Sequence, residues 1–286
     1  MNDALKQMLA RYNNRSFVEH EQSLREIVQE IALVGLWRGK FFEHAAFYGG
    51  TALRIFYGLD RFSEDLDFTL LTPHPEWSWK PFGDALVREL ASYGFEISFV
   101  EKEKSRQSAI KSAFLKTRTV QEMLRVGIRD DVLRGIHPET LIQIRVEIDS
   151  DPKMQYTYEH RILSQPVGVS INCVNESNLF VCKMHAAFFR AWKGRVKGRD
   201  WYDVAWFIRR KVPLDLTIFS KLIGSEVVLD RTSFLEIAEE RINRLDIDLA
   251  IGDVIHFVRD KEVIERNWSK QFFHTLFKDI KTLLGN

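Results

Sequence analysis

Tyr48-Gly49-Gly50-Thr51-Ala52-Leu53, followed by Arg61-Phe62-Ser63-Glu64-Asp65-Leu66-Asp67-Phe68, holds the densest chemistry in this 286-residue chain. Two consecutive glycines ahead of a helix let the backbone approach a ligand closely and aim N–H groups at phosphate oxygens. In the run from Asp65 to Leu71, the acids Asp65 and Asp67 fall on one face and Leu66 and Phe68 on the other, the alternation of a strand. Carboxylates two residues apart on a strand project to the same side, where they can share divalent ions bridging a triphosphate and an attacking hydroxyl. Ligands that are all oxygen suit Mg²⁺ or Mn²⁺ rather than zinc. Alone, an Asp-x-Asp occurs in many loops and in some glycosyltransferases, and a Gly-Gly turn is commoner still. In this order they converge on metal-assisted phosphate chemistry.

Outward from this centre, residues 1 to 46 space their apolar side chains as helices do, with Leu24, Ile27, Val28, Ile31 and Val34 recurring between charges. A short helix is expected from Thr51 to about Gly58. Pro73 and Pro75 break the chain, Phe82 to Tyr93 has the pattern of an amphipathic helix, and Phe95 to Lys102 alternates like a strand. Residues 103 to 138 carry no legible motif. Leu141 to Asp149 alternates throughout: Leu141, Gln143, Arg145, Glu147 and Asp149 share one face, and Ile142, Ile144, Val146 and Ile148 share the other. From about Ser177 onward the spacing is mostly helical. The expected fold class is therefore α+β. A nucleotide-handling domain with a small mixed sheet flanked by helices occupies 1–174, and a helical C-terminal domain occupies 175–286.

Bulk composition bounds the alternatives. A net charge of +1 with 45% hydrophobic residues describes an ordinary globular chain and announces no nucleic-acid partner. The distribution is more telling. Lys183, Arg190, Lys193, Arg195, Lys197, Arg199, Arg209, Arg210 and Lys211 lie close together, offset only by Asp200 and Asp203, and such a local basic surface can hold polyphosphate or RNA. Trp192, Trp201, Trp206 and Phe207 flank that region; such rings can stack bases, although their helical spacing also suits a core. The two cysteines, Cys173 and Cys182, and the histidines have no metal-site or disulfide-framework spacing. No apolar run reaches transmembrane length and Met1 to Arg15 lacks a signal-peptide core, so a cytoplasmic protein with no membrane partner is expected.

GGTALRIFYGL and RFSEDLDF together resemble the signature of the AbiEii-type nucleotidyltransferases, the toxin-like branch of the DNA polymerase beta-like superfamily. The later residues Glu176, Leu179, Lys183, Ala186, Arg190, Arg199, Asp200 and Asp203 match that family's second motif. The resemblance implies an NTP-dependent, pyrophosphate-releasing nucleotidyltransferase with its site in a cleft between the two domains. It implies a third carboxylate on a neighbouring strand, with Glu147 favoured and Asp149 the alternate, so that Asp65, Asp67 and Glu147 hold Mg²⁺ or Mn²⁺. Gly49, Gly50, Thr51 and Ser63 are then expected at the nucleotide phosphates. Lys183, with Arg190 two helical turns later, would face the triphosphate, and Asp200 would carry the family's functional acid. For Asp203 a structural role, capping or pairing with Arg199, is as fitting. The resemblance further implies an RNA acceptor, with tRNA 3′ ends leading, and a cognate antitoxin protein opposing a toxin or phage-defence activity. Two alternatives stay open: transfer to a small molecule or protein, or a catalytically silent nucleotide-binding interaction protein.

Overall fold

The computed structural model describes residues 3–102, 108–190 and 196–284. The chain divides into two compact units. The first comprises Met1–Phe56, Phe62–Pro152 and Tyr158–Cys173; the second comprises Tyr57–Arg61, Lys153–Thr157 and Val174–Asn286.

The first unit is built on a seven-stranded mixed sheet in the order β3-β4-β5-β2-β1-β7-β6. Its strands are β1 (Ala45–Tyr48), β2 (Leu66–Leu70), β3 (Ser98–Glu101), β4 (Ile110–Arg118), β5 (Leu141–Asp149), β6 (Tyr158–Leu163) and β7 (Val169–Val174). β2 lies antiparallel to β1 and parallel to β5, while β4 runs antiparallel to both β3 and β5. The alternation read in 141–149 is realised residue for residue, with Ile142, Ile144, Val146 and Ile148 buried and the polar residues on the opposite face. The stretch 103–138, which offered no motif, contains β4 and two short helices. The strand expected at 95–102 is confined to Ser98–Glu101, the residues that pair with Ala113–Lys116 of β4.

Helices of this unit are α1 (Asp3–Leu9), α2 (Phe17–Arg38), α3 (Gly49–Ala52), which runs on into a π turn over Leu53–Tyr57, α4 (Lys80–Ser92), α5 (Thr119–Arg125) and α6 (Asp130–Leu133). α2 starts on a capping box in which Ser16 and Glu19 exchange side-chain and backbone bonds. From Ser23 to Leu36 every residue of α2 is buried, which marks a helix enclosed on all sides rather than laid on a surface. Its polar groups therefore need partners. Glu30 takes Arg11 at 2.6 Å, Glu26 takes Arg54 at 2.7 Å, and Gln29 Nε2 donates to the Ser63 carbonyl at 3.2 Å. The helix thus braces the π turn and the segment that leads into β2. Phe41, Phe47, Phe68 and Trp79 fill the core beside it, with Phe68 edge-on to Phe41 at 4.9 Å.

The second unit is helical: α7 (Glu176–Phe189), α8 (Gly198–Arg209), α9 (Leu216–Leu222), α10 (Arg231–Arg244), α11 (Ile247–Val254), α12 (Lys261–Asn267) and α13 (Lys270–Ile280). Asp215, Asp230, Asp246, Asp260 and Ser269 each sit one residue ahead of a helix and accept from its first-turn N–H groups, so the succession of short helices is written in its caps. Phe180 stacks on Phe207 at 4.7 Å, and Phe188, Trp201, Phe234 and Phe273 complete an aromatic core. Gly198 opens α8 against α11, where any Cβ would collide with the Ala250 carbonyl. Among the described residues no helix is long and apolar enough to cross a membrane.

Candidate active site

Asp65 immediately precedes β2 and Asp67 lies within it. Parallel pairing of β2 with β5 sets Asp67 directly beside Glu147, and Thr69 beside Asp149. Register partners on one face lie about 5 Å apart at Cβ, so Asp67 and Glu147 project side by side. The alternate, Asp149, stands opposite the fully buried Thr69 and accepts the Asp151 N–H at 3.1 Å in the turn after β5.

The Gly-Gly turn shapes this cluster from the other side. Tyr48 of β1 is paired with Asp67, and the next residue, Gly49, turns with φ +81°. A Cβ on Gly49 would lie 2.5 Å from Asp67 Oδ2. Only glycine gives both the left-handed backbone and the room for the carboxylate. Thr51 is fully buried, and its hydroxyl donates to the Asp65 carbonyl, tying the turn to the acid-bearing strand. Gly50 is buried in the first turn of α3, and Ser63 is half-buried with its carbonyl held by Gln29.

Ser112 of β4, a buried residue that no motif announced, donates to Glu147 Oε1 at 2.8 Å and fixes that carboxylate. Arg145, two residues earlier on the same face of β5, reaches Asp65 at 4.0 Å and Glu147 at 3.9 Å while remaining about half exposed. Asp65 and Glu147 thus share one cation. Among the described residues no three acidic, histidine or cysteine side chains close into a preformed metal cage. An open, all-oxygen cluster of this kind suits an ion that also takes ligands from a bound phosphate, as Mg²⁺ habitually does.

The second unit gathers another set of predicted residues. Lys183 on α7 lies 2.7 Å from Asp203 Oδ2 and 3.2 Å from Asp200 Oδ1, both on α8. Arg61 grips Asp203 with a two-pronged pair at 2.6 and 2.7 Å. All four side chains are nearly or wholly buried. Burial opposes charging Lys183, but Asp203 and Asp200 outweigh it and hold the ammonium above its usual pKa. Burial also opposes ionising Asp203, yet Arg61 and Lys183 hold its carboxyl below the ordinary value. Asp203 is therefore paired with Arg61 and Lys183 rather than with Arg199; Arg199 turns to Asp253, at 3.5 Å from its Nε and 3.1 Å from its backbone N–H. Asp200 Oδ2 is buried with no hydrogen-bond partner among the described residues.

Arg190 caps the C-terminus of α7 and is exposed. Trp201 and Phe207 are core residues, and Trp206 lies under the Arg210 guanidinium at 4.7 Å. Trp192, Lys193 and Arg195 lie outside the described residues.

The pattern of the family described as the nucleotidyl transferase AbiEii toxin of Type IV toxin–antitoxin systems matches residues 31–272. The chain belongs to the AbiEii family. It is thus a nucleotidyltransferase, and the AbiEii match spans both the paired-acid strand and the Lys183 network. No curated protein matches this chain. Solved structures similar to it include JHP933 from Helicobacter pylori, at 14% identity over 92% of this chain and 90% of that one with a TM-score of 0.46. A second H. pylori protein described as a nucleotidyltransferase is 16% identical over 93% and 97%, with a TM-score of 0.44. An antigenic nucleotidyltransferase-like protein from Paracoccidioides brasiliensis is 14% identical over 83% and 97%, at 0.41. The family rests on the match along the AbiEii sequence pattern; these loose superpositions add nothing to the assignment of residues.

Proposed function

We propose that this AbiEii-family enzyme transfers a nucleoside monophosphate from an NTP to an RNA acceptor, with a tRNA 3′ end as the leading case, and acts as a toxin restrained by a cognate antitoxin protein. The observation that carries the catalytic part is the Asp67–Glu147 register pair beneath Gly49, with Asp65 one step before it. These three carboxylates are the residues that would hold one or two Mg²⁺ or Mn²⁺ ions. The ions, when bound, supply positive charge to the triphosphate and the attacking oxygen. The donor set fits them: every donor is oxygen, and the missing Cβ of Gly49 leaves room for the Asp67 carboxylate.

The chain's own residues then divide the work. Backbone N–H groups at Gly50 and Thr51 open a helix, where phosphate oxygens are favoured. Thr51 and Ser112 hold the Asp65 backbone and the Glu147 side chain in place. Ser63 is assigned to the phosphates, and Lys183 and Arg190 are assigned to neutralising triphosphate charge. Asp200 keeps the Lys183 ammonium oriented. The acceptor hydroxyl oxygen forms its bond to the α-phosphorus in line with the bond that breaks, the hydroxyl proton is released, and pyrophosphate leaves. The experiment is direct. The protein is incubated with Mg²⁺, total RNA or cell extract, and each α-labelled NTP in turn. Label in RNA that disappears with Asp67→Asn is the expected result. Label in a small molecule or protein would replace the RNA acceptor, and no label with any NTP would overturn the reading.

A further inference from the structure

The face of the sheet that carries the acids continues past them. Pairing of β4 with β5 sets Ser112 opposite Glu147 and Phe114 opposite Arg145, and pairing of β3 with β4 sets Val100 opposite Phe114. Alternate residues of a strand share a face, so Phe114 and Val100 stand on the same side as Glu147. On the diagonal from Phe114 to Glu147 such residues lie about 7–8 Å apart. This side is open, with Val100 47% and Leu141 49% exposed. Among the sheet's phenylalanines, Phe47 and Phe68 belong to the core and Phe99 packs on it, whereas Phe114 does neither and is only half-buried. No other ring of the described residues contacts Phe114; the Lys116 ammonium lies over one of its faces, 5.3 Å from the centroid. An aromatic ring at an open surface offers a π face on which any nucleobase can stack.

The direction of attack selects the occupant. Across the sheet the strands run β4-β5-β2-β1. Gly49 and the start of α3, assigned to the triphosphate, border Asp67 from the β1 side. Glu147 and then Phe114 lie on the other side. In-line displacement sets the leaving and attacking oxygens on opposite sides of the phosphorus. With pyrophosphate toward the glycine turn, the acceptor hydroxyl arrives from the β5–β4 side. We propose that Phe114 is an acceptor-binding residue: the base of the RNA's 3′-terminal nucleotide stacks on the ring face away from Lys116, which brings the terminal ribose hydroxyl toward Glu147. This rests on RNA as the acceptor.

The test uses the full-length chain, α-labelled NTP and an RNA hairpin with a single-stranded 3′ end. The hairpin is made in two forms, one complete and one whose terminal ribose lacks its base. Phe114→Leu keeps an apolar side chain opposite Val100 but removes the π face. On the complete acceptor it should raise KM roughly tenfold, with kcat nearly unchanged because stacking is the same before and during transfer. Wild type on the abasic acceptor should show the same rise, and Phe114→Leu on that acceptor no further one. Phe114→Trp should restore the wild-type KM on the complete acceptor. Equal KM for wild type and Phe114→Leu, or an equal effect of Phe114→Leu on both acceptors, would overturn the stacking and leave the RNA reading intact. Label in neither RNA form with the wild-type chain would remove the RNA 3′-end reading and the stacking with it.

Discussion

Replacing Gly49 by alanine tests the arrangement of the acids at its tightest point. Two costs arise, and they can be separated. The first is conformational: alanine at φ +81° loses about 1–2 kcal/mol in the left-handed region. The second is local: the new Cβ would sit 2.5 Å from Asp67 Oδ2, whereas ordinary contact begins at 3.4 Å, so the carboxylate must retreat by about 1 Å, a displacement that costs on the order of a hundredfold in rate when it falls on a reacting group. Gly127 provides the control. It has φ +80° and nothing within 4 Å of where an alanine methyl would sit, so Gly127→Ala carries the first cost without the second. In urea melts Gly127→Ala should lose about 1–2 kcal/mol of stability, and Gly49→Ala at least as much. In the α-labelled NTP assay, Gly127→Ala should transfer at close to the wild-type rate and Gly49→Ala about a hundredfold more slowly, equivalent to about 2.7 kcal/mol of transition-state stabilisation. If the two variants transfer equally well, the close approach of Gly49 to Asp67 has no part in catalysis.

Glu147→Gln should abolish most transfer, and Asp149→Asn should leave it within a few-fold of wild type; the reverse order in the labelling assay would move the third acid two residues along β5. Ser112→Ala removes a hydrogen bond to the Glu147 carboxylate, so the rate at limiting Mg²⁺ should fall by about tenfold while saturating Mg²⁺ restores much of it; a loss independent of Mg²⁺ would contradict its positioning role. Asp203→Asn breaks a buried pair and should cost about 3–5 kcal/mol at neutral pH. Because the folded pKa of Asp203 is depressed below 3.8, its contribution is complete above that value and fades as pH falls through the folded pKa. The stability gap between wild type and variant, read by urea melts, should therefore be constant near neutrality and narrow only at pH values below 3.8. A gap that closes at mildly acidic pH would refute the pairing.

The acid-bearing face was legible where chemistry and periodicity coincide. Asp65 and Asp67 follow a glycine pair within one short span, and β5 buries one face so evenly that Glu147 can be assigned a side from sequence alone. β4 was not legible because Ser112 and Thr117, on its two opposite faces, are both buried polar residues whose hydroxyls donate to Glu147 and Glu122. Half-open positions of the same strand are taken by Ile110 and Phe114, so polarity and burial run against each other. Arg61 was quoted as part of a motif, but its partner Asp203 lies 142 residues away, and no local spacing reports such a pairing. Asp203, four residues after Arg199, invited a helix-local ion pair; Asp253 on α11 took that arginine instead.

The two compact units exchange the chain five times, at 56/57, 61/62, 152/153, 157/158 and 173/174. A gene cut at the last crossing would leave Arg61 on one fragment and its buried counter-ion Asp203 on the other, with Lys183 and Asp200 facing the gap. The helical fragment made alone would carry an uncompensated acid in its interior. The helical unit is accordingly not a contiguous stretch of gene: residues 174–286 taken alone would leave behind the arginine that belongs to their own interior.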